Sequence, residues 1–385
     1  MGAHRDDAYG PDDPEAAEAR AGLVAEIART GALDDPVWRT AFEEVPRHVF
    51  VPYYFVGRPG GYDRLWSGDR DPERRRRWLH GAYMDGPLAT RVRDGEQLSS
   101  SSQPSLMARM LAELDVRDGD RVLEIGAGTG YNAALLCHRL GDKLVTTMDL
   151  DPEITESART HLATAGYRPA VVTGDGARGC PERAPFDRII ATCTLPSVPA
   201  AWLEQCRPGA RILAPLATGV IALRVGGGGY GGPYGEAVGG SGGDGGGGNG
   251  SGGDGGGGGR GGGDGGGGGR GGGDGARGIY AEGHFLHTAA FFVPLRGMPG
   301  TALMHRPLGG LPRRAIENDL FRFLLALTAG SLDPHEALSL WEREHRPGRE
   351  RFGVTIAEGR QWAWLDDPAG PYVWPLSVGG ISRGG

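Results

Sequence analysis

Cysteine is sparse in this chain of 385 residues. Cys137, Cys180, Cys193 and Cys206 are scattered, with no CxxC pair and no cysteine-dense stretch. That pattern excludes a disulfide scaffold and a zinc site, and it suits reduced thiols in a cytoplasmic protein. His48, His138, His284 and His287 have no metal spacing among them and read as structural. Long apolar runs are also missing, none approaching the ~20 residues of a membrane span. The polar, Asp/Pro-rich residues 1–15 lack the apolar region of a secretory signal, and Asp6 stands where a myristoylation signal after Gly2 needs Ser or Thr. Neither secretion nor a lipid anchor is expected. Basic charge is not in surplus either: 41 Lys and Arg face 48 Asp and Glu, a net charge of −7. Phosphate neutralisation needs a basic surface, so a nucleic-acid partner is not expected. The four arginines at 74–77 read as a solvated helix face.

Glycine is what the chain has in excess. There are 72, and 36 of the 53 residues from 226 to 278 are glycine. In that segment Gly-Gly-Asp-Gly returns every ten residues, with Asp244, Asp254, Asp264 and Asp274 in register. A calcium-binding β-roll uses such repeats but needs an apolar residue in each to build its interior, and none is there. A disordered linker is the better reading. Both flanks, 220–225 and 284–295, have strand character, which puts the insert at a hairpin tip, where a long loop is cheap in closure entropy.

Outside that segment the chain divides by pattern. Residues 1–20 read as a disordered acidic tail. Residues 21–30 and 35–42 have helical periodicity, the second opened by Asp35-Pro36. Residues 57–80 are irregular and charged and look like an insertion. Beyond Ser105 helices (106–114, 132–140, 154–165, 200–205) alternate with strands (121–125, 144–149, 170–173, 188–192, 211–216). Such alternation implies βαβ units and a doubly wound α/β fold around a parallel sheet. Residues 298–385 bring an apolar helix at 320–329, an amphipathic one near 336–341, and short strands rich in Trp362, Trp364 and Trp374. The tryptophans read as packing for a small sheet.

The chemistry-bearing motif is Val122-Leu123-Glu124-Ile125-Gly126-Ala127-Gly128-Thr129-Gly130, a strand that runs into a glycine turn and opens a helix. Glycine there lets the backbone bend sharply and approach a ligand without a Cβ in the way. A dinucleotide fingerprint places its third glycine three residues after the second. Here Gly128 is followed by Gly130, and position 131 is Tyr131, which favours S-adenosylmethionine over a nicotinamide cofactor. Asp149 ends the next strand, where an acceptor-only carboxylate can take both ribose hydroxyls. Asp151-Pro152 then takes the helix-capping role. After the third strand, Gly174-Asp175-Gly176-Ala177 puts a carboxylate at a turn where it can accept an adenine amino group. The expected cofactor-binding set is Glu124, Gly126, Gly128, Gly130, Asp149, Asp175, Gly176 and Ala177, with no metal.

The segment Ser100-Ser101-Ser102-Gln103-Pro104-Ser105-Leu106-Met107-Ala108-Arg109-Met110 resembles the TISQPxxVARM stretch of protein-L-isoaspartate O-methyltransferases. The resemblance continues through the glycine turn, the Gly174–Gly179 turn, Ala184-Pro185-Phe186-Asp187-Arg188-Ile189-Ile190 and Phe291-Phe292-Val293-Pro294-Leu295. Upstream, Val45-Pro46-Arg47-His48-Val49-Phe50-Val51-Pro52 is similar to the family's VPRxxFV motif. The similarity covers about 21–297, less 57–80 and 226–278, and departs at Ser100 and Ser101, where Thr-Ile is usual. It implies a Rossmann-like class I S-adenosylmethionine-dependent methyltransferase sheet with helices on both faces. A small α+β C-terminal domain would follow at 298–385 and recognise substrate.

By family position Ser102 is the catalytic hydroxyl, orienting one oxygen of the reacting carboxylate; otherwise it is a helix cap before Pro104. The nucleophile is already ionised at neutral pH, so no strong general base is required. Positioning and exclusion of water suffice. The resemblance implies carboxyl methylation of an aspartyl or isoaspartyl residue in a protein or peptide. One version is general protein repair. The other, slightly favoured by the serine segment and the extension, is tailoring of one ribosomally made peptide during its maturation. A peptide-binding module without turnover is the alternative.

Overall fold

The computed structural model describes residues 9–93, 95–227, 278–296 and 309–376. Five helices open on an Asp-Pro pair, with the aspartate side chain accepting backbone N–H groups and proline fixing the first helical position. They are α1 (Pro14–Arg29), α2 (Pro36–Glu44), a later α4 (Pro72–Ala82), α7 (Pro152–Thr164) and α11 (Pro334–Arg343). The first of these starts inside the stretch expected to be a tail, because Asp13 caps it and Ala16, Leu23, Val24 and Ile27 bury one face. Residues 1–8 of that expected tail lie outside the described residues.

A four-stranded antiparallel sheet follows the short helix α3 (Arg47–Phe50). It comprises β1 (Tyr53–Arg58), β2 (Gly61–Trp66), β3 (Leu88–Arg93) and β4 (Glu96–Ser101), in spatial order β2-β1-β3-β4. The stretch 57–80, expected to be irregular, is therefore most of a hairpin and the helix α4. Tyr54 and Leu65 on one sheet face are buried, as are Trp78 and Leu79 of α4, and the Tyr54 hydroxyl donates to the Arg77 and Trp78 carbonyls. The arginine run does lie on the helix exterior: Arg74 pairs with Asp63 and Asp69, and Arg76 with Glu15.

The ten-stranded sheet begins after α5 (Pro104–Leu114). Its parallel part contains β5 (Val122–Ile125), β6 (Val145–Asp149), β7 (Ala170–Thr173), β8 (Phe186–Ala191) and β9 (Cys206–Leu216), linked by α6 (Tyr131–Leu140), α7 and α8 (Ala200–Glu204). Strands β5, β6 and β7 run outward in one direction, and the chain then returns to place β8 and β9 on the other side of β5. The β5/β8 boundary is thus the switch point where open α/β sheets bind ligands. Alternate residues face two apolar layers: Val122 joins one, Leu123 and Ile125 the other.

From β9 onward the sheet is antiparallel. Strand β10 (Gly219–Gly227) pairs with β11 (Ile279–Ala289), Gly227 opposite Ile279. The hairpin expected around the glycine insert is present, and residues 228–277, including the repeats, lie outside the described residues. The described part of the extension brings α9 (Arg313–Ile316), α10 (Asp319–Leu327), α11, β12 (Phe352–Ala357), β13 (Arg360–Leu365) and β14 (Val373–Pro375). Its strands join the same sheet, β12 pairing directly with β11. Phe321, Phe323, Leu324 and Trp341 pack in the apolar layer that also holds Leu123 and Ile125.

Candidate active site

A cleft enclosing about 800 Å³, open solvent at its mouth included, lies at the carboxyl ends of β5, β6 and β8. Its floor is the turn after β5. Gly126 has φ +98°, and a Cβ there would come within 2.7 Å of the Thr192 hydroxyl. Gly128 has φ +51°, and its Cβ would meet the Ser100 carbonyl at 3.4 Å. Both positions demand glycine for conformation and for close approach. Strand β4 and the segment leading to α5 form the opposite wall through Ser99, Ser100, Ser101 and Ser102.

Of the residues expected from sequence, Ser102, Glu124, Gly126, Gly128, Asp149 and Gly176 line this cleft. Gly130, Asp175 and Ala177 are not part of its wall. Gly130 instead starts α6 and lies against Ala158 and Leu162 of α7. Asp175, expected at the adenine, caps its own turn by accepting from the Ala177 N–H at 3.0 Å. Sequence reasoning missed Asn132, Thr192, Cys193 and Arg296, all in the wall. Asn132 was findable as the second residue of the helix after the turn; Arg296 gives no local signal.

Asp149 Oδ1 accepts from Arg296 Nη2 at 2.7 Å, and its Oδ2 accepts from the Gly128 N–H at 3.3 Å. The strand-end carboxylate thus faces the glycine turn. Arg296 also stands 3.6 Å from Asp151. Ser102 is tied down through its backbone: the fully buried Arg47 donates to the Ser102 carbonyl at 3.2 Å. The same guanidinium donates to the carbonyls of Ala82, Met84 and Gly86, joining α3, the turn after α4 and the serine segment in one knot.

Glu124 is buried, accepting from Asn132 Nδ2 at 2.8 Å and Thr147 Oγ1 at 2.6 Å. Burial pushes its carboxyl up from 4.5 to about 7; the two hydrogen bonds oppose the shift and the nearby Asp149 charge adds to it. The folded form therefore holds a proton that the unfolded chain releases near 4.5. Stability fully present below that pH is lost as pH rises to about 7, by about 3 kcal/mol. Glu124→Gln removes the titration. Urea unfolding at about pH 5 and about pH 8 should show the wild type losing stability relative to this variant at the higher pH. Parallel behaviour of the two proteins would contradict the burial argument.

An adenosine-bearing sulfonium fits these residues. The cleft combines the carboxyl groups of Glu124 and Asp149 with the apolar Ile125, Met148, Leu150 and Ile154. Asn132 Oδ1 is buried without a hydrogen-bond partner, an acceptor beside a ligand rich in hydroxyl and amino donors. Among the described residues no cluster of metal-ligating side chains is present.

Comparison with known proteins agrees. The profile of the Protein-L-isoaspartate(D-aspartate) O-methyltransferase family matches residues 62–223. The protein-L-isoaspartate O-methyltransferase of Hyperthermus butylicus is 34% identical over 209 residues, covering 52% of this chain and 75% of that protein. The one of Methanopyrus kandleri is 35% identical over 208 residues, covering 53% and 80%. A solved structure of a protein-L-isoaspartate O-methyltransferase superposes with a TM-score of 0.52 at 20% identity, over 93% of this chain and 99% of that one, which speaks to fold. With the serine segment, the glycine turn and the strand-end aspartate gathered at one switch point, the chain belongs to the protein-L-isoaspartate O-methyltransferase family.

Proposed function

We propose that this enzyme methylates the free carboxylate of an aspartyl or isoaspartyl residue in a polypeptide, and that its own substrate is one ribosomally made peptide. The observation that carries the methyl-transfer reading is the meeting of Ser102 with Gly126, Gly128 and Asp149 in a single cleft. When bound, S-adenosylmethionine supplies an electrophilic methyl group, which a carboxylate oxygen takes as the carbon–sulfur bond breaks. The protein's part is positional. Asp149 accepts the ribose hydroxyls, the turn at Gly126–Gly128 lets the chain approach the ligand, and the Ser102 hydroxyl donates to the carboxylate oxygen that does not attack. No proton has to leave the nucleophile. The ester then loses methanol to the neighbouring backbone nitrogen, giving a succinimide or aspartimide.

Two features support tailoring over general repair. Serines at 100 and 101 line the acceptor wall where the family has Thr-Ile. The described extension also presents an open groove between Leu332, His335, Arg343, Tyr372 and Trp374, large enough to hold a peptide away from the reacting residue. Four free, buried thiols suit a reducing compartment such as the cytoplasm.

Incubation with an isotopically labelled methyl donor and two peptides tests the reading. One peptide carries an isoaspartyl residue and the other an aspartyl residue of a maturation precursor. Label on the precursor followed by methanol release supports tailoring. Label confined to the isoaspartyl peptide identifies repair. Cofactor binding with label on neither peptide identifies a binding module without turnover.

A further inference from the structure

The exposed face of the small sheet leads out of the cofactor cleft. Backbone pairing places Ser100 opposite Ala89, Ala89 opposite Phe55 and Phe55 opposite Arg64, and residues directly opposite share a face. This row crosses all four strands from the cleft wall to the edge strand β2. Ser100 stands at its inner end, against the Gly128 turn. Ala89 is small and leaves a trough. At the outer end Tyr53, Tyr62 and Trp66 are 40%, 41% and 38% exposed and form a contiguous aromatic patch on this face. The opposite face, with Tyr54 and Leu65, is the one sealed by α4.

Charge says what fits. Arg64 lies over the Tyr53 ring at 5.8 Å and the Trp66 ring at 5.3 Å, and no carboxylate among the described residues reaches it in an ion pair. Of the arginines nearby, Arg74 is held by Asp63 and Asp69 and Arg91 by Asp151 and Glu153, while Arg58 and Arg93, at the ends of β1 and β3, form no ion pair among the described residues but lack the two rings that hold Arg64. Arg64 is held in place by two rings with its charge open to a ligand.

We propose that this row is a docking surface for the polypeptide substrate, on which an extended acidic segment flanking the methyl acceptor runs from Ser100 to Arg64. The proposal rests on the methyl-transfer reading above. Strands lie ~4.8 Å apart, so three steps span about 14 Å. An extended chain covers that distance in about four or five residues at ~3.3 Å each. A carboxylate four or five positions from the acceptor meets Arg64, and its flanking side chains lie along Phe55, Tyr53 and Trp66.

The test uses the full chain with S-adenosylhomocysteine and two fluorescent peptides, read by anisotropy. Both carry the same acceptor aspartate with eight residues on each side. One has glutamate at the fourth and fifth positions of both flanks, and the other has lysine there. The wild type should bind the glutamate peptide roughly ten-fold more tightly, and about 0.5 M salt should erase most of the difference. Arg64→Gln should level the two affinities and Arg64→Glu should invert them, with cofactor affinity unchanged by calorimetry. A wild type that does not discriminate, or a preference surviving in Arg64→Glu, overturns the proposal. Labelled methyl transfer in the same samples separates the two claims. Arg64-dependent binding without label leaves the docking surface standing and removes methyl transfer. Label on both peptides with no dependence on Arg64 removes the docking surface alone.

Discussion

Asp149→Ala weakens cofactor binding by about thirty-fold to a thousand-fold and leaves the fold intact. Two hydrogen bonds from ribose hydroxyls to a carboxylate are together worth about 2–4 kcal/mol, and each 1.4 kcal/mol is a factor of ten. Arg296 sets where in that range the result falls. Its guanidinium holds Asp149 at 2.7 Å, so ribose hydroxyls and Arg296 compete for the same carboxylate. The gain on binding is the difference between the two sets of bonds. Arg296→Ala should therefore tighten cofactor binding by a few-fold, and Asp149→Asn should lie between Asp149→Ala and the wild type. Calorimetric titration with S-adenosylhomocysteine reads all three. Unchanged affinity in Asp149→Ala would take this residue out of the site.

Arg47→Met destabilises the fold by about 3–5 kcal/mol and abolishes turnover. The substitution keeps the volume and removes the donors, leaving the carbonyls of Ala82, Met84, Gly86 and Ser102 to find new partners in a buried space. Burial lowers the Arg47 guanidinium to about 10, still protonated at neutral pH. Arg47→Lys should recover only part of the loss, since an ammonium is a point donor and cannot fan across four carbonyls. Urea unfolding measures the stability. The functional claim is separate: turnover should fall further than cofactor affinity, because the knot holds the serine segment and touches neither Asp149 nor the glycine turn. Equal losses of both would mean that Arg47 acts through global stability only.

These two residues mark the reach of the sequence. Asp149 was legible because a strand end, a fixed spacing from a glycine turn and a following Asp-Pro cap all point to the same geometry. The parallel strands were legible for a related reason, since segments such as 122–125 and 188–191 are buried on both faces and read as short, largely apolar runs between helices. Arg47 stands in a recognisable motif, but nothing local shows that its two terminal nitrogens span four carbonyls up to 55 residues away. The hairpin of β1 and β2 was hidden because one of its faces stays exposed and carries aromatic and basic residues, so the apolar alternation is broken. Asp175 accepts from the Ala177 N–H two residues on, a local bond that the Asp-Gly turn makes by itself and that occupies one of its two oxygens.

The register of β10 and β11 governs how this protein must assemble. Gly227 and Ile279 lie side by side in the finished sheet, yet 51 residues separate them along the chain. In the unfolded chain that contact is a ring closure, and each doubling of ring size adds about 0.6 kcal/mol of entropy, so a four-residue turn would close with about 2 kcal/mol less to overcome. The outer strands reach the main sheet only through β11, which that closure brings to β10. Strand β12 finds its partner in β11, β13 in β12 and β14 in β13, so the outer sheet grows by accretion from one late event. Strands β5, β6 and β8, which carry the cofactor turn and its neighbours, lie beyond β9 and take no backbone pairing from β10 or β11. A chain emerging from the ribosome can therefore build its catalytic floor first and close its outer wall last.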